Sequence, residues 1–569
     1  MNLIKRMIVL SVLFIVTSCA EETTSYIAVN QLGYLSYKTK TATVVSNEKM
    51  FSLFSVEKGK IILTKPLSQG QYWAQSGEEV KTADFTEVTE TGKYKIIVGN
   101  DSSSLFEISK NIFTSVAKAS LKTFYYQRAS VELPVKYAGI WQRKAGLPDT
   151  SVIIHPSAAT NKRPAGTKVS APGGWFDAGD YNKYIVSSGI TTYTLILLYD
   201  LYHDYFKSIS LNIPESNNNL PDILDEILWN VRWMMKMQDP NDGGVYHKLT
   251  SKHFQPYIMP AEVKAERMIV GKSTSAALDF SAVFSHLSVV IRKYHNDYLP
   301  LSDSCLIMAK RAWDWAIKNP NVHFKNPEEI ETGEYSDNKL NDNFFWAGLE
   351  LYFATGDKSY LKNINDLSNM VLDSLYWAQV GNLGILTALT GEENLKNSIE
   401  GIDIIENVFK QNVENIYQNN IESPYKISLG VFKWGSNANL LNETVMLLAA
   451  YEIYNNSKYL KAAITNTDYI LGRNPLNISY VTGYGDKYPM HIHHRISEAD
   501  GVTEPIPGFV VGGPNPYYLI DCGKEKYPSL LPAKCYLDDV ESYSTNEVAI
   551  NWNAPLAFVL FSLDYYSNL

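Results

Sequence analysis

The spacing of apolar residues changes once along this 569-residue chain, at about Ser109. Before this point, short runs of β-branched and aromatic residues are separated by turn residues, which predicts a small antiparallel sandwich. These runs are 41–46, 51–56, 60–67 and 92–99. After it, apolar residues recur at helical spacing. The helical segments are 113–128, 223–238, 273–294, 305–318, 341–355, 442–455 and 459–472. We therefore predict an all-β domain over residues 20–108 and an all-α domain over residues 109–569.

The first residues have the pattern of a bacterial lipoprotein signal. Lys5 and Arg6 precede an apolar run, 7–17, that is too short to cross a bilayer as a helix. Cleavage before Cys19 would leave this cysteine as the lipid-bearing first residue. We expect residues 1–19 to form the signal, and the exported protein to be held at the outer membrane, on either face, by its lipid alone. An ordinary signal peptide is the alternative.

The composition of the chain limits the kinds of molecule that it is expected to bind. The formal net charge is −9, which argues against nucleic acid, because affinity for a polyanion comes largely from lysine and arginine. The aromatic share is 12%, and flat aromatic surfaces suit sugar rings. A neutral substrate and a monomeric protein are expected.

The cysteines leave two interpretations open. Cys305 lies in an apolar helical pattern typical of a buried thiol. Cys522 and Cys535 flank a loop rich in proline and lysine, where an exported protein could form a disulfide or keep two thiols. No cluster of cysteine and histidine has zinc-ligand spacing, so no metal is expected to take part in catalysis.

Two carboxylates lie three residues apart in the glycine- and aromatic-rich stretch 173–184. Asp177 and Asp180 precede a helical pattern, so one interpretation is a turn in which Asp180 caps the helix. The other is catalytic, with one carboxylate accepting a proton from water and the other orienting that water. Two close carboxylates would also repel each other, so that their pKa values would differ.

Two C-terminal segments carry further polar residues. Glu547 lies between a polar stretch and an apolar run that could raise its pKa and keep it protonated as a general acid, although a glutamate near a helix start is also a common stabilising feature. The segment 479–495 ends in a glycine-rich loop with several histidines, including His493, and Arg495. This segment suits hydrogen bonding to a polyhydroxylated ligand better than it suits zinc.

Taken together, these residues resemble glycoside hydrolase family 9. One family signature is carried by residues of 479–495 and the second by residues of 536–554, in the right order after the DAGD motif of 177–180. The segments 28–45 and 83–99 resemble the immunoglobulin-like module that precedes many family 9 domains. The resemblance implies an immunoglobulin-like sandwich followed by an (α/α)6 barrel.

The resemblance also implies roles for individual residues. Asp180 would be the general base, Asp177 would hold the attacking water, and Glu547 would be the general acid. Sugar-binding residues would be His493, Arg495, Trp434, Trp175 and Tyr543. Inversion needs room for a water molecule, so we predict that the carboxyl groups of Asp180 and Glu547 are about 6.5–9.5 Å apart.

The chain departs from the family in one place. Relatives often hold a structural zinc through cysteine and histidine ahead of the DAGD motif, but 137–166 has no cysteine, and His155 alone cannot hold the metal. Calcium bound by loop oxygens is a further expectation to which the sequence assigns no residues.

The sequence thus predicts an inverting, endo-acting hydrolase of a β-1,4-linked glucan such as cellulose, mixed-linkage glucan or xyloglucan. An exo-acting enzyme of the same family, with 500–535 blocking one end of the cleft, is one alternative. A glycan-binding lipoprotein without activity is the other, although binding alone would not require Asp180 and Glu547.

Overall fold

The computed structural model describes residues 26–363, 372 and 374–567. The signal segment and Cys19 therefore lie outside the described residues.

The N-terminal part is a sandwich of two sheets. Its strands are β1 (Tyr26–Ala28), β2 (Gly33–Leu35), β3 (Thr41–Val45), β4 (Met50–Ser55), β5 (Lys60–Pro66), β6 (Gln71–Trp73), β7 (Glu78–Asp84), β8 (Gly92–Val98), β9 (Asp101–Ser102) and β10 (Phe106–Ser109). One sheet has the order β1-β3-β7-β6 and the other β2-β10-β8-β4-β5, with β9 beside β8. All pairs are antiparallel except β2 with β10. The four predicted strands are confirmed as β3, β4, β5 and β8.

Helices dominate the rest of the chain. They are α1 (Thr114–Tyr126), α2 (Val135–Ala138), α3 (Ile185–Leu201), α4 (His203–Phe206), α5 (Asp222–Lys236), α6 (Thr274–Tyr294), α7 (Leu299–Lys318), α8 (Asn341–Thr355), α9 (Gly381–Thr390), α10 (Glu393–Lys396), α11 (Ile402–Glu422), α12 (Ser436–Tyr454), α13 (Ser457–Ile470), α14 (Arg495–Ala499), α15 (Tyr543–Asn546) and α16 (Ile550–Ser567). The seven helical segments predicted from apolar spacing are confirmed as α1, α5, α6, α7, α8, α12 and α13.

Six of these helices contact one another in a closed ring, in the order α3, α6, α8, α9, α12, α16 and back to α3. Other helices pack against the outside of the ring: α1 on α16, α5 on α3, α7 on α6, α11 on α9 and α12, and α13 on α12. Helices α3, α9 and α16 are apolar or small on nearly every side and are buried along almost their whole length. A helix that is apolar all round must be buried, which explains why these three helices form part of the ring and do not pack on its outside. Helix α6 is long and apolar enough to cross a membrane, but 94% of its apolar window is buried within the protein, as expected for a helix of the ring.

The helical part also contains a small sheet, and the prediction of a purely helical domain was wrong on this point. Its strands are β11 (Val152–Ile154), β12 (Lys168–Val169), β13 (Lys183–Tyr184), β14 (Tyr246–Thr250) and β15 (Met268–Lys272), in the order β12-β11-β15-β14-β13. Strands of two to five residues are too short to show a period of two clearly. Strand β13 immediately follows the DAGD turn and leads directly into α3, so the sheet helps to hold that turn.

Polar and aromatic contacts join the sandwich to the helices. The Asn30 amide donates to Asp468 of α13 at 2.8 Å, and Lys534 forms an ion pair with Glu78. Trp73 packs against Tyr425, with ring centroids 4.5 Å apart. The sandwich therefore shares a buried interface with the helical part.

Candidate active site

Gly179 allows the DAGD turn to touch a loop that lies far away in the sequence. A Cβ atom at Gly179 would lie 2.0 Å from the carbonyl oxygen of His493, which no side chain could tolerate. The Gly179 carbonyl in turn accepts hydrogen bonds from the backbone N and from Nη1 of Arg495, at 3.0 and 2.9 Å. Glycine at 179 is therefore required for the two loops to meet.

Backbone hydrogen bonds add the start of α16 to this assembly. The N–H of Ile550 donates to the Asp177 carbonyl at 2.8 Å, and the N–H of His493 donates to the Asn546 carbonyl at 3.0 Å. As a result, the two carboxylates of the turn and Glu547, which lies between α15 and α16, reach the same site.

These three carboxyl groups line one cavity of about 490 Å³. The two aspartates are buried against its floor, whereas the Glu547 side chain is partly exposed to it. Residues from other parts of the chain complete the wall, among them Phe254, Tyr335, Trp377, Lys433, Trp434 and Asn439. The arrangement is an open cleft with acidic groups at its centre and aromatic rings along it.

Each aspartate is held by a different partner. Asp180 accepts hydrogen bonds from Asn182, through the side-chain amide at 2.6 Å and the backbone N–H at 3.2 Å. Asp177 accepts one from the Tyr335 hydroxyl at 2.6 Å. Helix α3 begins at Ile185 and is preceded by Tyr184, so Asp180 does not cap it, and the capping interpretation was wrong.

Burial and mutual repulsion raise the pKa of two of these carboxyl groups. Burial, and next the charge of Asp180, raise the pKa of Asp177 to about 7. Burial, then the charges of Asp180 and Asp177, raise the pKa of Glu547 well above its ordinary value, and Arg495 offsets only part of this. Glu547 therefore gives up its proton less readily than an ordinary glutamate.

Aromatic rings form a platform beside the acids. Trp434 is 40% exposed and stacks on Tyr518 with ring centroids 5.1 Å apart at 29°. Tyr543 packs between Trp434 and His493, at 5.5 and 5.7 Å. An exposed ring such as that of Trp434 can lie against the face of a sugar ring. Sugar binding by Trp434 and Tyr543 stays a prediction.

Comparison with protein families agrees with this geometry. Residues 113–560 match the glycosyl hydrolase family 9 profile. The chain belongs to glycosyl hydrolase family 9. Residues 22–103 match the cellulase N-terminal ig-like domain. The protein is thus a glycoside hydrolase, and catalysis in its family requires no cofactor.

Individual family 9 proteins resemble the chain over most of its length. It is 41% identical to a xyloglucan-specific endo-beta-1,4-glucanase of Bacteroides ovatus, over 95% of this chain and 93% of that protein. The solved structure of a family 9 protein of the same species has a TM-score of 0.88 and 39% identity, and covers 95% of this chain and 99% of that one. A structure of AaCel9A in complex with cellobiose-like isofagomine has a TM-score of 0.85 and 30% identity, with 95% and 100% covered.

His493 and Arg495, the two polar residues predicted to bind sugar, differ in which of their nitrogen atoms form hydrogen bonds within the protein. His493 donates through Nδ1 to the Val540 carbonyl at 2.6 Å, which leaves Nε2 as its acceptor, and burial lowers its pKa to about 4. Arg495 uses Nε and Nη1 on the carbonyls of Gln255 and Gly179. Arg495 thus positions the DAGD turn. Neither residue is among those that line the cleft cavity, so sugar binding by His493 and Arg495 stays a prediction.

Trp175 does not bind substrate in this structure, and that prediction was wrong. Its ring is fully buried, donates through Nε1 to Glu226 at 2.9 Å and packs on Phe124 at 4.8 Å. Glu226 in turn forms an ion pair with the buried Arg128. Trp175 is therefore part of the core beneath the cleft.

Of the two interpretations left open for Cys522 and Cys535, the structure has the free thiols. They are buried with Tyr527 in a small apolar cluster, where burial raises both thiol pKa values to about 11. Among the described residues, no group of three or more histidine, cysteine or acidic side chains could hold a metal, so the structure adds no residues to the calcium expectation.

Sequence reasoning missed several residues of the cleft. Tyr335, the partner of Asp177, lies 158 residues away from it in the chain, in a polar loop without a recognisable motif. Trp377 packs against Tyr335, with ring centroids 5.0 Å apart, and Phe254 also lines the cleft. Their placement depends on how the ring closes, which local patterns do not encode.

We predict that Asp177→Asn stabilises the protein while removing activity. The raised pKa of Asp177 means that its carboxyl group ionises less readily in the folded protein than in the unfolded chain. Asp177 therefore lowers the free energy of unfolding from about pH 4 upward, where the unfolded chain ionises, and this cost levels off above about pH 7. The melting temperature of the variant should exceed that of the wild type by about 2 °C or more at pH 7.5, and the gain should vanish near pH 4. Differential scanning calorimetry measures both.

The exposed Asp486, which lies outside any helix or strand, supplies the control, because Asp486→Asn should leave the melting temperature unchanged at both pH values. A variant at Asp177 that is less stable at pH 7.5 would contradict the electrostatic account.

We also predict opposite effects for two tryptophans. Trp434→Ala should raise KM about tenfold or more with little change in melting temperature, because it removes an exposed ring of the platform. Trp175→Phe should lower the melting temperature and leave KM nearly unchanged, because Glu226 loses its indole donor. A normal KM for Trp434→Ala would remove this residue from the substrate site.

Proposed function

We propose that this endo-acting β-1,4-glucan hydrolase cleaves xyloglucan by inversion, with Glu547 as general acid, Asp180 as general base and Asp177 as the residue that holds the attacking water. The convergence of these three carboxyl groups in one aromatic-lined cleft carries the proposal. The closed ring of six helices, with others packed outside it, supports an (α/α)6 barrel as the frame.

Glu547 has the properties that the acid needs. Its raised pKa favours the protonated carboxyl group, and its partial exposure to the cavity allows contact with a glycosidic oxygen. Protonating that oxygen as the bond breaks makes the departing chain a neutral alcohol. The remaining positive charge develops on the sugar ring, next to the two aspartates.

The aspartates suit a divided task. Asn182 fixes the Asp180 carboxylate with two hydrogen bonds, which orients its remaining lone pairs. Tyr335 occupies Oδ2 of Asp177, whereas Oδ1 is buried without a partner among the described residues. A water molecule held by Asp177 would lose its proton to Asp180 as its oxygen attacks the anomeric carbon from the face opposite Glu547.

The substrate assignment rests on the relative and on the cleft. The relative that is 41% identical is named a xyloglucan-specific endo-beta-1,4-glucanase. Several aromatic rings line the cleft, among them Phe254, Trp377 and Trp434, and Trp434 stacks on the exposed Tyr518. A long neutral glucan could bind across such a cleft, whereas an exo-acting enzyme needs one end closed.

The deciding experiment follows viscosity and products over time on xyloglucan, barley mixed-linkage glucan and carboxymethylcellulose, with protein that starts after Cys19. We expect a rapid fall in viscosity, with mixed oligosaccharides, fastest on xyloglucan. Early products should carry the α-anomer in proton NMR spectra, as inversion requires.

Glu547→Gln is the control for this experiment, because it keeps the shape of the acid without its proton and should lower kcat at least a thousandfold. Equal activity in that variant would refute its role. A single small product with steady viscosity would indicate exo action, and β-anomers would overturn inversion.

We further propose that Cys19 is lipidated and anchors a monomeric enzyme at the outer membrane. The signal-like pattern of residues 1–19 supports this. Cells fed a labelled fatty acid should incorporate it into the wild-type protein and not into Cys19→Ala. Label in both, or in neither, would contradict the anchor.

A further inference from the structure

A second cavity of about 200 Å³ adjoins the catalytic cleft. Lys433, Asn439 and Asn442 line both, so the two spaces share a wall formed by α12 and the segment before it. We call the second cavity the side pocket. Its volume is less than half of the 490 Å³ of the cleft, which suits a single sugar rather than a chain.

The walls of the side pocket are held in place by hydrogen bonds. The side-chain amides of Asn382 and Asn412 both donate to the Leu372 carbonyl, at 3.0 and 2.5 Å. The amide of Asn442 donates to the Leu375 carbonyl at 2.9 Å. Apolar side chains of Ile416, Leu429 and Met446 complete the lining. The side pocket is therefore built from fixed elements with both polar and apolar surface.

Two polar groups of the side pocket have no hydrogen-bond partner among the described residues. Oε2 of Glu443 and Nδ2 of Asn439 are both buried, and neither forms a hydrogen bond within the part of the chain that the structure describes. Leaving such a group unpaired costs about 1–3 kcal/mol, so an orphaned group beside a cavity points to a ligand or water that satisfies it.

The chemistry of these groups indicates a neutral, hydroxylated ligand. Burial raises the pKa of Glu443 to about 8, and the charge of Lys433 offsets this only in part. The carboxyl group is therefore protonated at neutral pH, so it can donate as well as accept, while the Asn439 amide donates. Sugar hydroxyls can form hydrogen bonds with both groups, and the CH groups of a sugar ring can pack against the apolar lining.

We propose that the side pocket binds one branching sugar of a β-glucan whose backbone occupies the catalytic cleft. The inference rests on the proposed action on xyloglucan, a glucan that carries such branches. It adds a residue, Glu443, that distinguishes branched from unbranched chains and that does not line the catalytic cavity.

The test compares kcat/KM on xyloglucan with kcat/KM on unbranched mixed-linkage glucan. Glu443→Leu removes both hydrogen-bonding functions, and Leu429→Trp fills the side pocket. Each should lower the ratio of the two kcat/KM values about tenfold, whereas Glu443→Gln, which can still donate and accept, should change it less than about threefold. Glu422→Leu, on the exposed part of α11, is the matched control and should leave the ratio unchanged.

A binding measurement separates this inference from the proposed function. Calorimetric titration of the inactive Glu547→Gln variant should show tighter binding of a xylose-branched cello-oligosaccharide than of its unbranched equivalent, and adding Glu443→Leu should abolish the difference. Unchanged ratios in both pocket variants, or equal binding of the two oligosaccharides, would overturn the inference even if xyloglucan is the substrate. Failure to cleave xyloglucan, with the binding preference intact, would overturn only the substrate assignment.

Discussion

The active site depends on the contact between Gly179 and the His493 backbone. The DAGD turn and the C-terminal loops come from opposite ends of the helical part, and no regular element joins them. Because residue 179 has no side chain, the two backbones approach closely enough for Arg495 to donate twice to the Gly179 carbonyl. Glycine is demanded here by the neighbouring chain, since any Cβ would occupy the position of the carbonyl oxygen.

This contact brings three carboxyl groups into one poorly hydrated cavity. Burial there raises the pKa of Asp177 and of Glu547. Ionising all three together would bring large repulsion. Asn182 gives Asp180 two hydrogen bonds, whereas Glu547 sits at the apolar start of α16 with only Arg495 offsetting the burial and repulsion that raise its pKa. The local environment thus raises the pKa of both Asp177 and Glu547, and each raised pKa costs stability at neutral pH.

The sequence predicted those features that are encoded locally. Long segments with helical spacing became helices, and short gapped signatures identified the acidic residues together with their neighbours. Trp175 shows the limit of this approach, because an aromatic residue beside a motif can point into the cleft or beneath it, and only the position of Glu226 on α5 decides between them. Tyr335 shows another, since its contact with Asp177 spans 158 residues and requires the closed ring. Strands as short as β12 and β13 carry too few residues to show a pattern.

Helix α12 lies between the catalytic cleft and the side pocket and lines both. Ala438 lines the catalytic cleft, whereas Glu443 and Met446 line the side pocket. Asn439 and Asn442 lie on the boundary and line both. Helix α12 also belongs to the inner ring and packs against α16 and α13. If the side pocket holds a branch as proposed, the glucan backbone that carries this branch would be fixed relative to Glu547. Binding of the branch would then also place the scissile bond.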